Sequence, residues 1–69
     1  MLFSQHSSLS GREIECVRWA SEGLSAKEIA RQMNITMRTV ETHLEHARMK
    51  IGGRNRTHAV VAAVRQGLI

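Results

Sequence analysis

Apolar residues along this 69-residue chain recur three and four positions apart, in four runs parted by polar or glycine-containing joins. That spacing puts each run on one side of a helix. The first run, Ile14, Val17 and with them Cys16 and Ala20, follows Ser10-Gly11-Arg12-Glu13. A serine at an N-cap accepts from a free N–H of the first turn, and a glutamate three residues on reaches back to the cap. Gly23 closes the run, so a helix is predicted over about Gly11–Ser21. Ser25-Ala26-Lys27-Glu28 repeats the box and leads into Ile29, Ala30 and Met33, which predicts a short helix over Ala26–Met33. Thr36 is the next N-cap candidate. Val40, Leu44, Ala47 and Ile51 follow at intervals of 4, 3 and 4, and Gly52-Gly53 ends the run. Asn55 opens a fourth helix with Ala59, Val60, Ala63 and Val64 inward and Val61 beside them. Gly67 stops it, and Leu68 and Ile69 fold back as an apolar tail. No β-branched run of the kind strands need is present, so the fold class is all-α with four helices.

The join between the second and third helices is the most informative feature. Only Asn34-Ile35-Thr36 separates them. So short a link makes the axes cross steeply, as in a helix-turn-helix. Ala30 is small where the helices approach, and asparagine tolerates the left-handed backbone of a tight turn. Ile35 and Val40 fill the angle. An α-hairpin that binds no DNA shares this bare spacing, so the opposite face of the third helix has to decide.

With Val40, Leu44 and Ile51 inward, the outward arc carries Arg38, Glu41, Thr42, Glu45 and Met49. His46 and Lys50 flank it on one side and Arg48 on the other. Arginine reads guanine or holds a phosphate, threonine donates, accepts or touches a thymine methyl, and glutamate accepts from cytosine N4. Arg38, Glu41, Thr42 and Glu45 are therefore the base-facing candidates for a recognition helix over about 37–51 in the major groove. The two acids also repel phosphates, and basic groups around them must outweigh that repulsion. Lys27, Arg38, Arg48, Lys50, Arg54 and Arg56 are the candidates.

Charge distribution supports a polyanion partner. Ten Lys and Arg stand against six Asp and Glu, a net +4. Residues 1–36 hold four basic and four acidic groups, whereas residues 37–69 hold six basic and two acidic, so the whole excess lies in the second half. A solvated basic face gives the same count.

From Leu9 to Ile69 the chain resembles the LuxR-type helix-turn-helix domain, shared by quorum-sensing activators and response regulators of the NarL kind. The matching pieces are REIEC at Arg12–Cys16, EGLSAKEIA at Glu22–Ala30, RTVETHL at Arg38–Leu44 and NRTHAV at Asn55–Val60. The tail from Ala63 to Ile69, with Trp19, resembles the acyl-homoserine-lactone-responsive branch. The resemblance implies a four-helix DNA-binding domain over residues 9–69, preceded by a flexible segment over 1–8. It implies base contacts at Glu41, Thr42 and Glu45, and phosphate contacts at Ser25, Lys27, Thr36, Arg38, Thr39 and Lys50. It also implies a homodimer on double-stranded DNA through the last helix, with Val61, Val64, His58 and Arg65 at the seam. RNA polymerase and a relative of the same family are the further partners it leaves open, and a bacterial cytoplasm is the expected location. Many members carry lysine where this chain has Glu41 or Glu45, a departure that bears on the target sequence. Members usually carry an N-terminal sensor domain. This chain has none, as an excised domain or a single-domain regulator would.

Other chemistry finds little footing. Cys16 is the only cysteine, which excludes an internal disulfide and a four-cysteine zinc site. His43 and His46 lie three apart with His58 further on, but no further ligand completes a metal set, so no metal or cofactor is expected. Cys16 with a histidine base would be a nucleophile. The chain is short for a catalytic pocket, and a small core residue is the expectation. No stretch reaches the ~18 apolar residues of a membrane span, and Met1-Leu2-Phe3 runs at once into polar residues, unlike a targeting signal. The alternative to DNA reading is an interaction module that pairs with a family relative through the last helix and antagonises it. Glu41 and Glu45 favour that alternative.

Overall fold

The computed structural model describes residues 9–69; the segment 1–8, expected to be flexible, lies outside the described residues. Four helices follow in order, α1 (Gly11–Ser21), α2 (Ala26–Met33), α3 (Met37–Ile51) and α4 (Arg56–Arg65), and no strand occurs among the described residues. Each begins where a side-chain oxygen satisfies a free N–H of the first turn. Ser10 Oγ accepts from Glu13 N at 3.1 Å while Glu13 Oε1 accepts from Ser10 N at 2.9 Å. Ser25 and Glu28 repeat the exchange at 3.2 and 2.8 Å. Thr36 Oγ1 accepts from Thr39 N at 3.1 Å and Asn55 Oδ1 from His58 N at 2.8 Å.

The third helix is the axis of the domain. It packs against α1, α2 and α4, whereas α2 and α4 do not meet. The core is Cys16, Val17, Ile29, Ala30, Met33, Val40, Leu44, Ala47 and Ala63, with Leu24, Ile35, Ile51 and Val60 half-buried around it. Burying side chains of this size is worth about 1.5–3 kcal/mol each for the larger ones, which is how so short a chain holds together without staples. Cys16 is wholly buried, with its Sγ 3.5 Å from Met33 Sδ. Burial, with a smaller contribution from Glu15, pushes its thiol up, which suits a packing role and not a nucleophile.

One expectation about α4 needs correction. Val64 was placed inward with Val60, yet it is 55% exposed, and the buried residues of this helix are Ala59 and Ala63. Ala59 is small where the loop after α3 runs hard against it. A Cβ on Gly53 would lie 2.8 Å from both Cα and Cβ of Ala59. The tail behaves as expected: Leu68 N donates to Ala63 O at 2.9 Å, and Leu68 and Ile69 pack half-buried on the core.

Candidate nucleic-acid interface

The turn that presents α3 is built from three residues. Asn34 caps α2 at φ 56°, ψ 46°, in the left-handed region. That reversal lets Ile35 N donate back to Ala30 O at 3.1 Å and turns Ile35 onto the core. Thr36 returns to extended backbone and caps α3. Ile29 and Val40, both wholly buried, lock the two helices at this corner.

Opposite the buried stripe, α3 carries an open hollow of about 380 Å³ lined by Arg38, Glu41, Thr42, Glu45 and His46. All four base-facing candidates thus share one open surface. His46 joins them at the rim, and Met49, 63% exposed, extends the same face toward the C-terminus. The two acids differ. Arg48 Nε donates to Glu45 Oε1 at 3.0 Å and Arg48 Nη2 to Glu45 Oε2 at 2.6 Å. The hydrogen bond from Arg48, and behind it the charge of that guanidinium, holds the Glu45 carboxyl below its usual range. Glu41 has no ion pair among the described residues.

The phosphate candidates surround the hollow in different states. Ser25 Oγ and Thr36 Oγ1 both accept from the helices they cap, and Thr36 Oγ1 lies 2.8 Å from Thr39 Oγ1. A hydroxyl that accepts from a backbone N–H keeps its own proton to donate. The N-termini of α2 and α3 also favour an anion. Lys27, Arg54 and Arg56 are exposed. Lys50 is not free: its Nζ donates to Oε1 of Glu13 at 2.9 Å. Glu13, the capping glutamate of α1, is 4% exposed, the one buried charged group among the described residues. Its partner could not be found by spacing, since the two lie 37 positions apart. The only local hint was that Lys50 borders the buried stripe between Ala47 and Ile51.

The sequence has relatives among known proteins. Residues 7–63 match the family model described as bacterial regulatory proteins, luxR family. The chain belongs to the luxR family. It is 51% identical over 61 residues to the transcriptional activator protein BjaR1 of Bradyrhizobium diazoefficiens, covering 88% of this chain and 25% of that protein. It is 44% identical over the same length to the transcriptional activator protein VanR of Vibrio anguillarum, again 88% of this chain and 25% of the relative. The quorum sensing-dependent transcriptional regulator VjbR of Brucella ovis is 43% identical over 61 residues, 88% of this chain and 24% of its own length. The chain thus spans about a quarter of the length of these relatives.

In this luxR-family domain the expected dimer residues sit on the outer side of α4. Val61 is 40% and Val64 55% exposed, and Arg65 is exposed beside them. His58, also exposed, has a local task that sequence reading missed: its Nδ1 accepts from Arg54 N at 3.0 Å, closing the loop ahead of α4. His43 is half-buried at the edge of the core, and no group of three or more metal-ligating side chains assembles among the described residues. Among the described residues no helix is long and apolar enough to cross a membrane.

Proposed function

We propose that this chain is a sequence-specific DNA-binding domain, residues 9–69, of a transcription regulator of the quorum-sensing kind. The observation that carries this reading is the two-sidedness of α3. One face is buried against the other three helices, and the other gathers Arg38, Glu41, Thr42 and Glu45 in a single open hollow. In the major groove that hollow meets base edges. Ser25, Lys27, Thr36, Thr39, Lys50, Arg54 and Arg56 meet phosphates on either side. Lys50 can do so while tied to Glu13, because an ammonium has three N–H donors and is 40% exposed here. The binding unit is a homodimer through Val61 and Val64, with each copy on one half-site and RNA polymerase as a further partner, in the bacterial cytoplasm. No enzymatic step belongs to this reading.

The competing antagonist reading rested on two acids in the face. Glu45 is charge-compensated by Arg48, which removes half of that objection to DNA.

Selection of bound duplexes from a random pool tests the proposal. The expected result is enrichment of one short half-site, repeated with two-fold symmetry about one helical turn apart. No duplex retained even at low salt would overturn it.

A further inference from the structure

We infer that Arg48 is a positioning residue for base recognition: its guanidinium fixes the Glu45 carboxylate as a hydrogen-bond acceptor in the α3 hollow, in place of a phosphate contact of its own. The inference rests on the DNA reading above and names how one part of that site works.

Three observations carry it. First, Arg48 grips Glu45 through two N–H groups, at 3.0 and 2.6 Å, one to each carboxylate oxygen. That fork-to-fork match is the most directional arrangement an arginine and a carboxylate can make. Second, the remaining arm is also committed. Arg48 Nη1 donates to the carbonyl of Gly53 at 2.8 Å, so the guanidinium is anchored to the loop that follows α3 as well as to the acid one turn before it. Third, the exposures are ordered. The Arg48 side chain is 29% exposed and that of Glu45 54%, and Glu45 lines the hollow whereas Arg48 does not. The cation lies beneath and behind the acid, turned toward protein acceptors.

This arrangement does three things for recognition. The pair has no net charge, so Glu45 does not repel phosphates as a bare carboxylate would. The glutamate is held before the base arrives, and less rotamer freedom is lost on binding. Each carboxylate oxygen has a second lone pair, so two of about four acceptor positions stay open to a base amino group. Cytosine N4 is the major-groove donor that such an acceptor suits best. A lysine could not replace the arginine, since a single ammonium cannot hold both oxygens in the plane.

Binding of the 69-residue chain to its selected duplex, and to duplexes with every position varied, decides the matter. Wild type, Arg48→Gln, Arg48→Lys, Glu45→Ala and the double variant Glu45→Ala/Arg48→Gln are compared. Arg48→Gln is expected to lose, by about fivefold or more, the preference at the same base pair that Glu45→Ala loses. It should cause no further loss of preference in the Glu45→Ala background, and Arg48→Lys, which restores the charge that offsets Glu45, should not restore the preference. Should circular dichroism find Arg48→Gln unfolded, Arg48→Lys and Glu45→Ala carry the same comparison. The inference is overturned if Arg48→Gln weakens all duplexes by one factor, shrinks the salt slope by about 0.9, and is rescued by Arg48→Lys, the signature of a phosphate contact. In that case wild type still selects a half-site and the DNA reading stands. A wild type that retains no duplex removes that reading and this inference with it.

Discussion

Lys50 Nζ lies 2.9 Å from Oε1 of the buried Glu13, a bond that ties the last turn of α3 to the first turn of α1. Glu13 Oε1 also accepts from Ser10 N, and His46 Nδ1 lies 3.9 Å from Oε2. A carboxylate taken out of water must be paired in this way or lose its charge. Burial works to raise the Glu13 carboxyl. The Lys50 and Ser10 hydrogen bonds, with the charges of Lys50 and His46, outweigh it and leave the group below its ordinary range. A depressed carboxylate adds stability that is full above its unfolded pKa and is lost as pH falls through the lower folded value. Denaturant titrations across pH should therefore show an acid limb below about pH 4.5 that shrinks in Glu13→Gln. Lys50→Ala at neutral pH should cost about 1–3 kcal/mol, because it strands a buried acceptor, and it should narrow the acid limb, because the folded carboxyl loses the partner that holds it low. An acid limb identical in wild type and Glu13→Gln would show that other carboxylates govern it.

Phosphate and base contacts should separate by their response to salt. Neutralising ~6 phosphates per binding unit gives a slope near −5 in log K against log salt. Lys27→Ala, exposed at the start of α2, should weaken all duplexes alike and reduce the slope by about 0.9. Thr42→Ala should leave the slope unchanged and alter preference at one base pair by about 1 kcal/mol. Fluorescence-anisotropy titrations at several salt concentrations measure both. The same response from the two variants would mean that the phosphate and base roles of these residues have been assigned wrongly.

The contrast between these two sets of residues also explains what could be read from sequence. Helix bounds were legible because their causes are local: Ser10, Ser25, Thr36 and Asn55 each cap within three residues of themselves. Asn34 announced the turn by its tolerance of positive φ. The outward set on α3 was legible because one clear apolar stripe fixes the helix rotation. In α4 the apolar run Ala59-Val60-Val61-Ala62-Ala63-Val64 has no such stripe, and the rotation that turns Ala59 to the Gly53 loop could not be read from it. Glu13–Lys50 joins residues from opposite ends of the fold. Glu45–Arg48 is local, but nothing in the sequence says whether an arginine there turns to its neighbour or to a phosphate.

The two glycines after α3 have different duties and should respond differently to substitution. Gly52 caps the helix at φ 86°, and no atom lies within 4 Å of the Cβ it lacks. Asparagine adopts that backbone tolerably, so Gly52→Asn should be mild. Gly53 has an ordinary backbone but no room, with Ala59 backbone and side chain 2.8–2.9 Å from a new Cβ. Gly53→Ala must push α4 away from α3 and should cost about 1–3 kcal/mol. Thermal melts of the two variants measure the difference. A Gly52→Asn variant less stable than Gly53→Ala would contradict the close-approach argument.

The exposed valines of α4 give the last prediction. Val61 and Val64 lie 40% and 55% open on a helix whose inner side is already filled by Ala59 and Ala63. Removing surface valines from such a site changes monomer stability by about 0.5 kcal/mol or less. If they form the dimer seam, Val61→Lys with Val64→Lys should leave the melting temperature of the free chain nearly unchanged. Two like charges would then face two more across an isologous two-fold contact, where each residue meets its own copy's surface. Binding to a duplex with two half-sites should lose cooperativity, with affinity for a single half-site retained. Analytical ultracentrifugation on both duplexes reads the stoichiometry directly. Undiminished cooperative loading of both half-sites by the double variant would put the dimer contact on some other surface of the domain.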